Sequence, residues 1–413
     1  MAIAPELPAE NTAAAEIDGH SYRYYRAVLQ NRALPCAFLD VDLLDANIAA
    51  IRRRAQGTPL RIASKSVRCE WVLRRVLANG PPFRGIMCFH PAEAAFLAMQ
   101  GFDDLLLGYP FYRDATLRPI CEPLRQGKTI TCMVDSAEQI TQLDRFARAE
   151  DVTISVCIDV DMSSDFPGIH FGVRRSPITA PRQLAPLVEA LRNAVRVELR
   201  GLMGYEAQIA GLPDHHPANG KRNLIIPTLK RRSVKEVRER RAAAVKYLRD
   251  AGFELPLVNG GGTGSIETTR EETAVTEVTV GSGFFAPTLF DHYAGFKHKP
   301  AAGYALEIVR IPKPGIYTCA GGGYIASGGV GKDKQPLPYL PGGAELLDQE
   351  GAGEVQTPVG YVGVETLRLG DPVFMRHAKA GELCERFNTL LLIQDGRVVD
   401  EVPTYRGAGQ CFL

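Results

Sequence analysis

The sequence lacks the features of a membrane or secreted protein. It contains no run of about 18 apolar residues, the length that spans a bilayer. Its N-terminal segment has no basic start followed by an apolar block, so it does not resemble a secretion signal. The nine cysteines show no repeated spacing, which argues against a disulfide framework. We therefore expect a protein of the reducing cytoplasm.

An excess of charge of either sign is also absent. Lys and Arg number 48 and Asp and Glu 47, which gives a net charge of +1. Such a chain has no general field that would attract nucleic acid or an anionic membrane. Of its 413 residues, 45% are hydrophobic and 23% charged, the composition of a folded protein. This length predicts two or three domains of roughly 150 residues each.

The dominant pattern is an alternation of short apolar runs with stretches of helical spacing. One helix is expected over residues 233–250, where Val237, Ala244 and Leu248 share a face. Alternating strands and helices favour a parallel sheet, and eight such units fit a closed (β/α)8 barrel. An open doubly wound sheet is the alternative. The predicted barrel strands cover residues 60–63, 85–89, 105–107, 129–134, 153–159, 197–203, 257–259 and 277–280.

Changes of pattern divide the chain into three segments. Residues 1–30 begin rich in alanine, and we expect a partly flexible extension there. Residues 31–295 carry the alternation of strands and helices. Over residues 296–413, glycine- and proline-rich turns separate short alternating runs, which predicts an antiparallel β domain. Within this domain Asp395 and Gly396, between two apolar runs, form a strong hairpin signal.

A lysine follows the first predicted barrel strand. Ala63 ends that strand, and Ser64 and Lys65 come next. Side chains at the carboxyl ends of barrel strands face the mouth where barrel active sites lie. An amine that is partly desolvated in such a place is suited to form a Schiff base. On position alone, a surface lysine that caps the next helix is the alternative.

A glycine-rich loop follows the seventh predicted strand. Consecutive glycines expose backbone N–H groups, and hydroxyl side chains add further donors, as a phosphate site requires. Barrels often bind phosphate at this place. The loop residues that we assign to a phosphate are Gly261, Gly262, Thr263, Gly264 and Ser265.

Gly281 and Ser282, at the end of the eighth predicted strand, are placed to complete this phosphate cup. The loop is not a P-loop, because no Gly-Lys-Ser/Thr follows it. It is not the dinucleotide fingerprint either, because no βαβ half with a downstream acid surrounds it. A phosphate site opposite a strand-end lysine suggests pyridoxal 5′-phosphate, which needs both.

In their order and spacing these segments resemble the fold-type III pyridoxal-phosphate enzymes, which have the alanine racemase fold. Within them the chain is similar to the D-threonine aldolase and D-serine dehydratase group. The matching segments are residues 34–47, 61–65, the glycine loop, residues 277–284, and a C-terminal segment that begins at Gly370. The resemblance implies a barrel of alanine racemase type, in which Lys65 holds pyridoxal phosphate and residues 261–265 hold its phosphate.

Other cofactor contacts are also assigned by the resemblance, although the chain departs from the family pattern there. After the fifth strand the family tends to place an arginine near the pyridine nitrogen, whereas this chain has His170. After the sixth strand, Tyr205 and Gln208 stand where a Gly-His pair is common. We expect all three side chains to contact the cofactor. A packed aromatic at the barrel rim is the alternative for Tyr205.

A polar cluster near the C terminus matches a metal site of this group. There, a His-x-Cys or His-x-Asp pair binds a divalent metal beside the substrate hydroxyl. The matching positions are Glu382 and Cys384, and His377 is close in sequence. All three side chains are competent zinc ligands, whereas manganese or magnesium would favour the carboxylate. Alternatively, His377 and Glu382 bind substrate or each other, while Cys384 is buried.

The resemblance implies a pyridoxal-phosphate-dependent lyase that acts on a β-hydroxy amino acid, expected to be of D configuration. The reaction is a retro-aldol cleavage or a dehydration with deamination, with Lys65, His377 and Glu382 as catalytic residues. An amino-acid racemase is one alternative, which needs a second base opposite Lys65. A non-catalytic pyridoxal-phosphate carrier is another, although the appended β domain argues against it. The family also implies a homodimer with shared active sites.

Overall fold

A closed parallel barrel forms the centre of the structure. The computed structural model describes residues 20–215, 220, 223–329 and 331–412. Eight parallel strands form a closed circle, so the predicted barrel is confirmed and the open sheet is wrong. Strand β1 (Cys36–Asp40) belongs to a second sheet, and the barrel strands are β2 (Leu60–Ala63), β3 (Phe83–Cys88), β4 (Leu105–Pro110), β5 (Ile130–Val134), β6 (Ile154–Asp159), β9 (Val197–Gly204), β10 (Leu257–Gly260) and β11 (Glu277–Val280). Each overlaps one predicted run.

Helices connect the barrel strands. Asp40 begins one of them, because its carboxylate accepts a hydrogen bond from the backbone N–H of Leu43. The long helix begins earlier than predicted, at Ile226, with Pro227 in its first turn, where proline is tolerated. No helix in the described ranges is long and apolar enough to cross a bilayer. The helices are α1 (Tyr22–Leu29), α2 (Val41–Ala55), α3 (Glu70–Ala78), α4 (Pro91–Met99), α5 (Asp114–Leu117), α6 (Cys121–Arg125), α7 (Ala137–Ala149), α8 (Ala185–Asn193), α9 (Ala207–Ala210), α10 (Ile226–Asp250) and α11 (Ile266–Arg270).

The predicted antiparallel β domain is also confirmed. Its strands, besides β1, are β12 (Ala302–Lys313), β13 (Ile316–Ala320), β14 (Leu337–Leu340), β15 (Glu345–Leu346), β16 (Gln356–Gly360), β17 (Pro372–Arg376), β18 (Thr389–Gln394) and β19 (Arg397–Pro403). The sheet runs in the order β15-β16-β13-β12-β1-β18-β19, with β17 pairing β12 and β14. The β18–β19 hairpin turns at Asp395 and Gly396, both with positive φ, as its sequence indicates. A separate small hairpin joins β7 (Ser164–Phe166) and β8 (Ile169–Phe171).

The N-terminal part of the described chain packs on the second sheet. Strand β1 pairs with β12 in antiparallel and with β18 in parallel orientation. Helix α1 covers this region: the Tyr22 hydroxyl donates to the Pro372 carbonyl at 3.1 Å and the Tyr25 hydroxyl to Asp40 at 2.9 Å. Residues 1–19 of the expected flexible extension lie outside the described residues. The division at residues 30/31 and 295/296 stays a prediction.

A buried ion cluster spans the seam where the barrel closes. Arg61 on β2 is fully buried and contacts Glu277 on β11 at 2.5 Å. It also contacts Asp104 at 3.1 Å. A Cβ at Gly85 would lie 2.5 Å from the Arg61 guanidinium, so glycine is needed there. Burial opposes the charged form of Arg61, but the two carboxylates outweigh it and raise its pKa.

We predict that Arg61→Leu lowers the free energy of unfolding by about 3–5 kcal/mol, because the buried Glu277 loses its buried charge partner and keeps only the half-exposed Arg84. Urea denaturation of the variant measures this. The matched control is Arg84→Leu, since Arg84 contacts the same carboxylate at 3.2 Å but is 46% exposed. Arg84→Leu should lower the free energy of unfolding by less than about 1 kcal/mol. Equal losses for the two variants would contradict the role given to the buried pair.

A buried carboxyl links α4 to the end of the chain. Glu93 on α4 is fully buried and accepts hydrogen bonds from the Phe89 backbone N–H at 2.6 Å and from the Tyr405 hydroxyl at 3.0 Å. Burial raises the pKa of Glu93 to about 7, and its hydrogen bonds, that from Ser64 first among them, lower it only in part. The carboxyl is therefore more easily ionised in the unfolded chain than in the fold.

A pH dependence of stability follows from Glu93. Because its folded pKa is raised, stability is lost as the pH rises from about 4.5 to about 7. This loss in the free energy of unfolding amounts to about 3 kcal/mol, at about 1.4 kcal/mol per pKa unit. We predict that Glu93→Gln abolishes it. Urea denaturation from pH 5 to pH 8 measures it, with the exposed Glu254→Gln as control. Parallel pH profiles for Glu93→Gln and the wild type would disprove the assignment.

Candidate active site

A cavity of about 600 Å³ opens at the carboxyl ends of the barrel strands. This volume is in the range of small-molecule sites. Four of the predicted residues, Gly264, Ser265, His377 and Cys384, are not among the residues that line it. The predicted residues that do line it are Lys65, His170, Tyr205, Gln208, Gly261, Gly262, Thr263, Gly281, Ser282 and Glu382.

Lys65 lies in a single 3-10 turn directly after β2, and its amine is half-buried in the cavity. The Lys65 Nζ donates to the Tyr109 hydroxyl at 2.7 Å. Within the described ranges no carboxylate forms an ion pair with this amine. Burial alone would raise the pKa of Tyr109, but the charge of Lys65, their hydrogen bond and the nearby Arg175 outweigh it and lower that pKa. The pair is therefore arranged to exchange a proton.

The glycine loop after β10 approaches its neighbours too closely for side chains. A Cβ on Gly262 would lie 2.8 Å from the Cβ of Ala210. Gly261, with a φ of +77°, would place a Cβ 2.6 Å from a methyl group of Val278. The positive φ thus falls on Gly261, while Gly262 is constrained by space. Together these glycines let the backbone form part of the cavity wall.

The two predicted glycine segments meet at Thr263. Its hydroxyl accepts hydrogen bonds from the backbone N–H of Gly281 at 3.4 Å and of Gly283 at 3.2 Å. The hydroxyl proton finds no acceptor among the described residues, so it can be donated to a ligand. Beside it, the hydroxyls of Ser66 and Ser282 lie 3.3 Å apart. These groups form a concave, donor-rich corner of the cavity.

A buried charge network holds the loop from behind. Glu206 accepts from the Gly261 backbone N–H at 3.1 Å and from the Ser265 hydroxyl at 3.2 Å. The fully buried Arg241 of α10 donates to the same carboxylate at 2.8 Å and also pairs with Glu272. Ser265 therefore positions the loop and does not face the cavity.

The other expected cofactor contacts, His170, Tyr205 and Gln208, also line the cavity. His170 on β8 bonds to Asp165 through Nδ1 at 2.8 Å, while its Nε2 is buried without a partner among the described residues. Gln208 donates to the Met162 carbonyl at 2.5 Å, and its carbonyl oxygen is likewise buried and unpaired in the described part of the chain. Burial raises the pKa of Tyr205 to about 12. Two unsatisfied polar atoms thus lie beside the cavity, where a ligand could pair with them.

The structure does not bring the predicted metal ligands together. His377 is fully buried and packs edge-on against Phe285, and burial lowers its pKa to about 3. Cys384 is also fully buried, and burial raises its pKa. Of the three, only Glu382 lines the cavity. The set therefore does not fit a metal centre in this chain.

The cavity residues that the sequence did not single out include three with ionisable side chains that could act on a ligand: Tyr109, Arg175 and Lys379. Tyr109 lies near the end of β4, and the strand-end rule that found Lys65 would also have found it. Arg175 lies in a loop, 5.8 Å from the ring centres of both Tyr109 and Tyr205. Lys379 belongs to the C-terminal polar cluster, but a lysine is not among the usual metal ligands, so the metal-site pattern does not select it.

Comparison with known proteins agrees with the class of protein that the barrel and its cavity define. The model of the family described as "Alanine racemase, N-terminal domain" matches residues 39–288, which is more than half of the chain. The chain therefore belongs to this family.

Individual relatives support this placement. A D-threonine aldolase of Arthrobacter sp. is 25% identical over 253 residues, and a 3-hydroxy-D-aspartate aldolase of Paracoccus denitrificans is 23% identical over 256. Each alignment covers 61% of this chain and 60% of the relative. The crystal structure of D-threonine aldolase from Filomicrobium marinum superposes with a TM-score of 0.77 at 19% identity. It covers 91% of this chain and 95% of that one, which establishes the fold.

We predict that Gly262→Val weakens retention of pyridoxal phosphate by about 10-fold or more, because a side chain there forces overpacking against Ala210. Dialysis followed by measurement of bound cofactor by absorbance tests this. Gly342→Val is the control, since a Cβ at Gly342 meets nothing within 4 Å. If both variants retain the cofactor like the wild type, the loop is a turn and does not hold a phosphate.

Proposed function

We propose that this protein is a pyridoxal-phosphate-dependent lyase of β-hydroxy D-amino acids. The observation that carries the proposal is a strand-end lysine amine that lines the same cavity as a donor-rich glycine corner. The names of the relatives, a D-threonine aldolase and a 3-hydroxy-D-aspartate aldolase, support the substrate class. The reaction is either cleavage to glycine and an aldehyde or dehydration to a 2-oxo acid and ammonia.

The chain's own residues fit pyridoxal phosphate. Lys65 supplies the amine that would hold it, and the hydroxyls of Thr263 and Ser282 lie in the corner that would hold its phosphate. The unpaired atoms of His170 and Gln208 offer partners for polar groups of the ring. When bound, this cofactor supplies an electron sink for the electrons released at the α-carbon of an amino acid.

The protein residues supply proton transfer and orientation. Lys65 and Tyr109 share a 2.7 Å hydrogen bond, so a proton that the Lys65 Nζ takes from the α-carbon can be exchanged with the tyrosine oxygen. Arg175 lines the cavity and carries a guanidinium suited to a substrate carboxylate. Glu382 is the described acid of the C-terminal cluster that reaches the cavity, where its carboxylate can accept a hydroxyl proton. His377, buried away from this wall, acts as a packing residue.

Assembly belongs to the same proposal. We propose a homodimer whose C-terminal domains complete the shared active sites, together with a cytoplasmic location. Exposed apolar side chains of the second sheet domain offer area that a partner subunit could cover: Val362 and Val364 are each 93% exposed, and Val355 is 75% exposed.

We predict that Lys65→Ala abolishes the visible absorption of bound pyridoxal phosphate and its trapping by borohydride. Turnover should fall on the order of 1,000-fold or more, because the holding amine is lost. Lys246→Ala, at an exposed lysine paired with Asp250, is the matched control. Absorption and turnover at the wild-type level in Lys65→Ala would reject the proposed role of this lysine.

The wild-type reaction is identified by its products. Incubation with D- and L-β-hydroxy amino acids, followed by assay for aldehyde, 2-oxo acid and inverted enantiomer, separates the two lyase reactions from racemisation. We expect aldehyde or 2-oxo acid from the D substrates. Inversion alone would replace the proposal by a racemase, and bound cofactor without any turnover would replace it by a carrier.

A further inference from the structure

The cavity wall contains an ammonium where the family resemblance places a divalent metal. Cys384 and His377 are fully buried, and neither lines the cavity. In the described part of the chain, the only group of three metal-capable side chains with adjoining ligand atoms is His20, Asp40 and Asp42, none of which lines the cavity. Lys379, in contrast, lies on the cavity wall in the same segment as the expected ligands.

Ser327 forms hydrogen bonds with both Lys379 and Glu382 and so holds them side by side. The Lys379 Nζ donates to the carbonyl oxygen and to the hydroxyl of Ser327, each at 3.0 Å. The Glu382 carboxylate accepts from the Ser327 backbone N–H at 3.0 and 3.2 Å. An ammonium has three donors and a carboxylate about four acceptor sites. Both groups therefore keep hydrogen-bonding capacity for a ligand in the cavity.

This segment packs directly on the backbone of Lys65. A Cβ on Gly381, which has a φ of +85°, would overlap the Lys65 carbonyl oxygen, so glycine is required at this contact. Arg68 donates to the same Lys65 carbonyl oxygen at 3.0 Å and forms an ion pair with Glu385 at 2.5 Å. The lysine–glutamate pair is thereby fixed beside the reactive amine, although more than 300 residues separate them in sequence.

We infer that Lys379, and not a divalent metal, contacts the β-oxygen of the substrate, and that Glu382 exchanges the proton of that oxygen. The inference rests on the proposed lyase function and deepens it. Both reactions open to the enzyme develop negative charge on this oxygen, either by loss of its proton or by departure with the bonding electrons. A positioned ammonium stabilises such charge through a charge-assisted hydrogen bond.

The proton and electron balance can be written for each reaction. In cleavage, Glu382 takes the hydroxyl proton, the O–H electron pair becomes the second C–O bond, and the Cα–Cβ pair remains on the α-carbon. Lys65, which is protonated at the start of this reaction, then donates a proton to that carbon. In dehydration, Lys65 takes the α-proton, the C–H pair forms the Cα=Cβ bond, and the C–O pair leaves with the oxygen. A proton carried by Glu382 converts that oxygen to water, while the Lys379 ammonium stabilises its charge.

Metal analysis of the wild type is the first test. We expect the purified holoenzyme to contain less than about one-tenth of a metal ion per chain. Dialysis against a chelator should leave its lyase turnover and its cofactor absorption unchanged. If the chelator abolishes turnover and zinc or manganese restores it, the lyase proposal stands and the present inference falls. If no β-hydroxy amino acid is turned over under any condition, both fall.

Substrate pairs that differ only in the β-oxygen provide the second test. Half-saturation is read from the visible absorbance change on mixing with D-serine against D-alanine, and with 3-hydroxy-D-aspartate against D-aspartate. Lys379→Ala should weaken binding of the hydroxylated member by about 10-fold or more, the scale of one charged hydrogen bond. Binding of D-alanine and D-aspartate should stay within about twofold of the wild type, because the lost bond exists only with the hydroxyl.

Further variants keep this test decisive. Lys379→Arg retains a cation and should restore part of the preference for substrates that carry the β-oxygen. Glu382→Gln should lower kcat more than it raises KM. The control is Lys332→Ala, at a 76% exposed lysine paired with Asp348. If Lys379→Ala weakens both members of each pair equally, Lys379 supports the cavity structurally and the inference is wrong. If Lys379→Ala does not fold, Lys379→Arg and the metal analysis decide between the same outcomes.

Discussion

The ion pair between Arg61 and Glu277 is the contact on which the barrel, and through it the site, depends. The two residues lie on the first and the last barrel strands, so the pair joins the strands that close the circle. Asn259 donates to the same carboxylate and to the Thr279 hydroxyl, each at 2.8 Å. Asn259 and Thr279 line the cavity. The contacts that close the barrel therefore also set the floor of the site.

The wall above this floor is built from glycines, which contribute little packing and lose much conformational freedom on folding. Buried charges compensate for this. Arg241 acts through Glu206 on the backbone N–H of Gly261, and Arg54 of α2 donates to the Thr263 carbonyl at 2.7 Å. Elements on two sides of the loop therefore hold it. Because the loop is already ordered, binding of a phosphate would not carry the entropic cost of ordering it.

The sequence predicted the barrel and much of the cavity, because the carboxyl ends of parallel strands converge at one mouth. It did not identify Tyr109, because strand β4 extends to Pro110, beyond the apolar residues 105–107 that predict it. It also predicted a metal centre from His377, Glu382 and Cys384, of which only Glu382 lines the cavity. Glu382 and Cys384 are two residues apart, a spacing that shares a face only in a strand. They lie instead in a 3-10 turn, where such neighbours diverge, and this local conformation cannot be read from residue types.

The charges around the cavity couple ligand binding to the stability of the fold. Lys65, Arg175 and Lys379 line it together with a single described acid of the C-terminal cluster, Glu382. Like charges that line one cavity repel one another, and bound anions would relieve this repulsion. A phosphate and a substrate carboxylate would supply them, so ligand binding and stability are coupled by mass action. Lys379 contributes to this coupling because its charge is fixed in the chain, whereas a metal ion would have to be acquired.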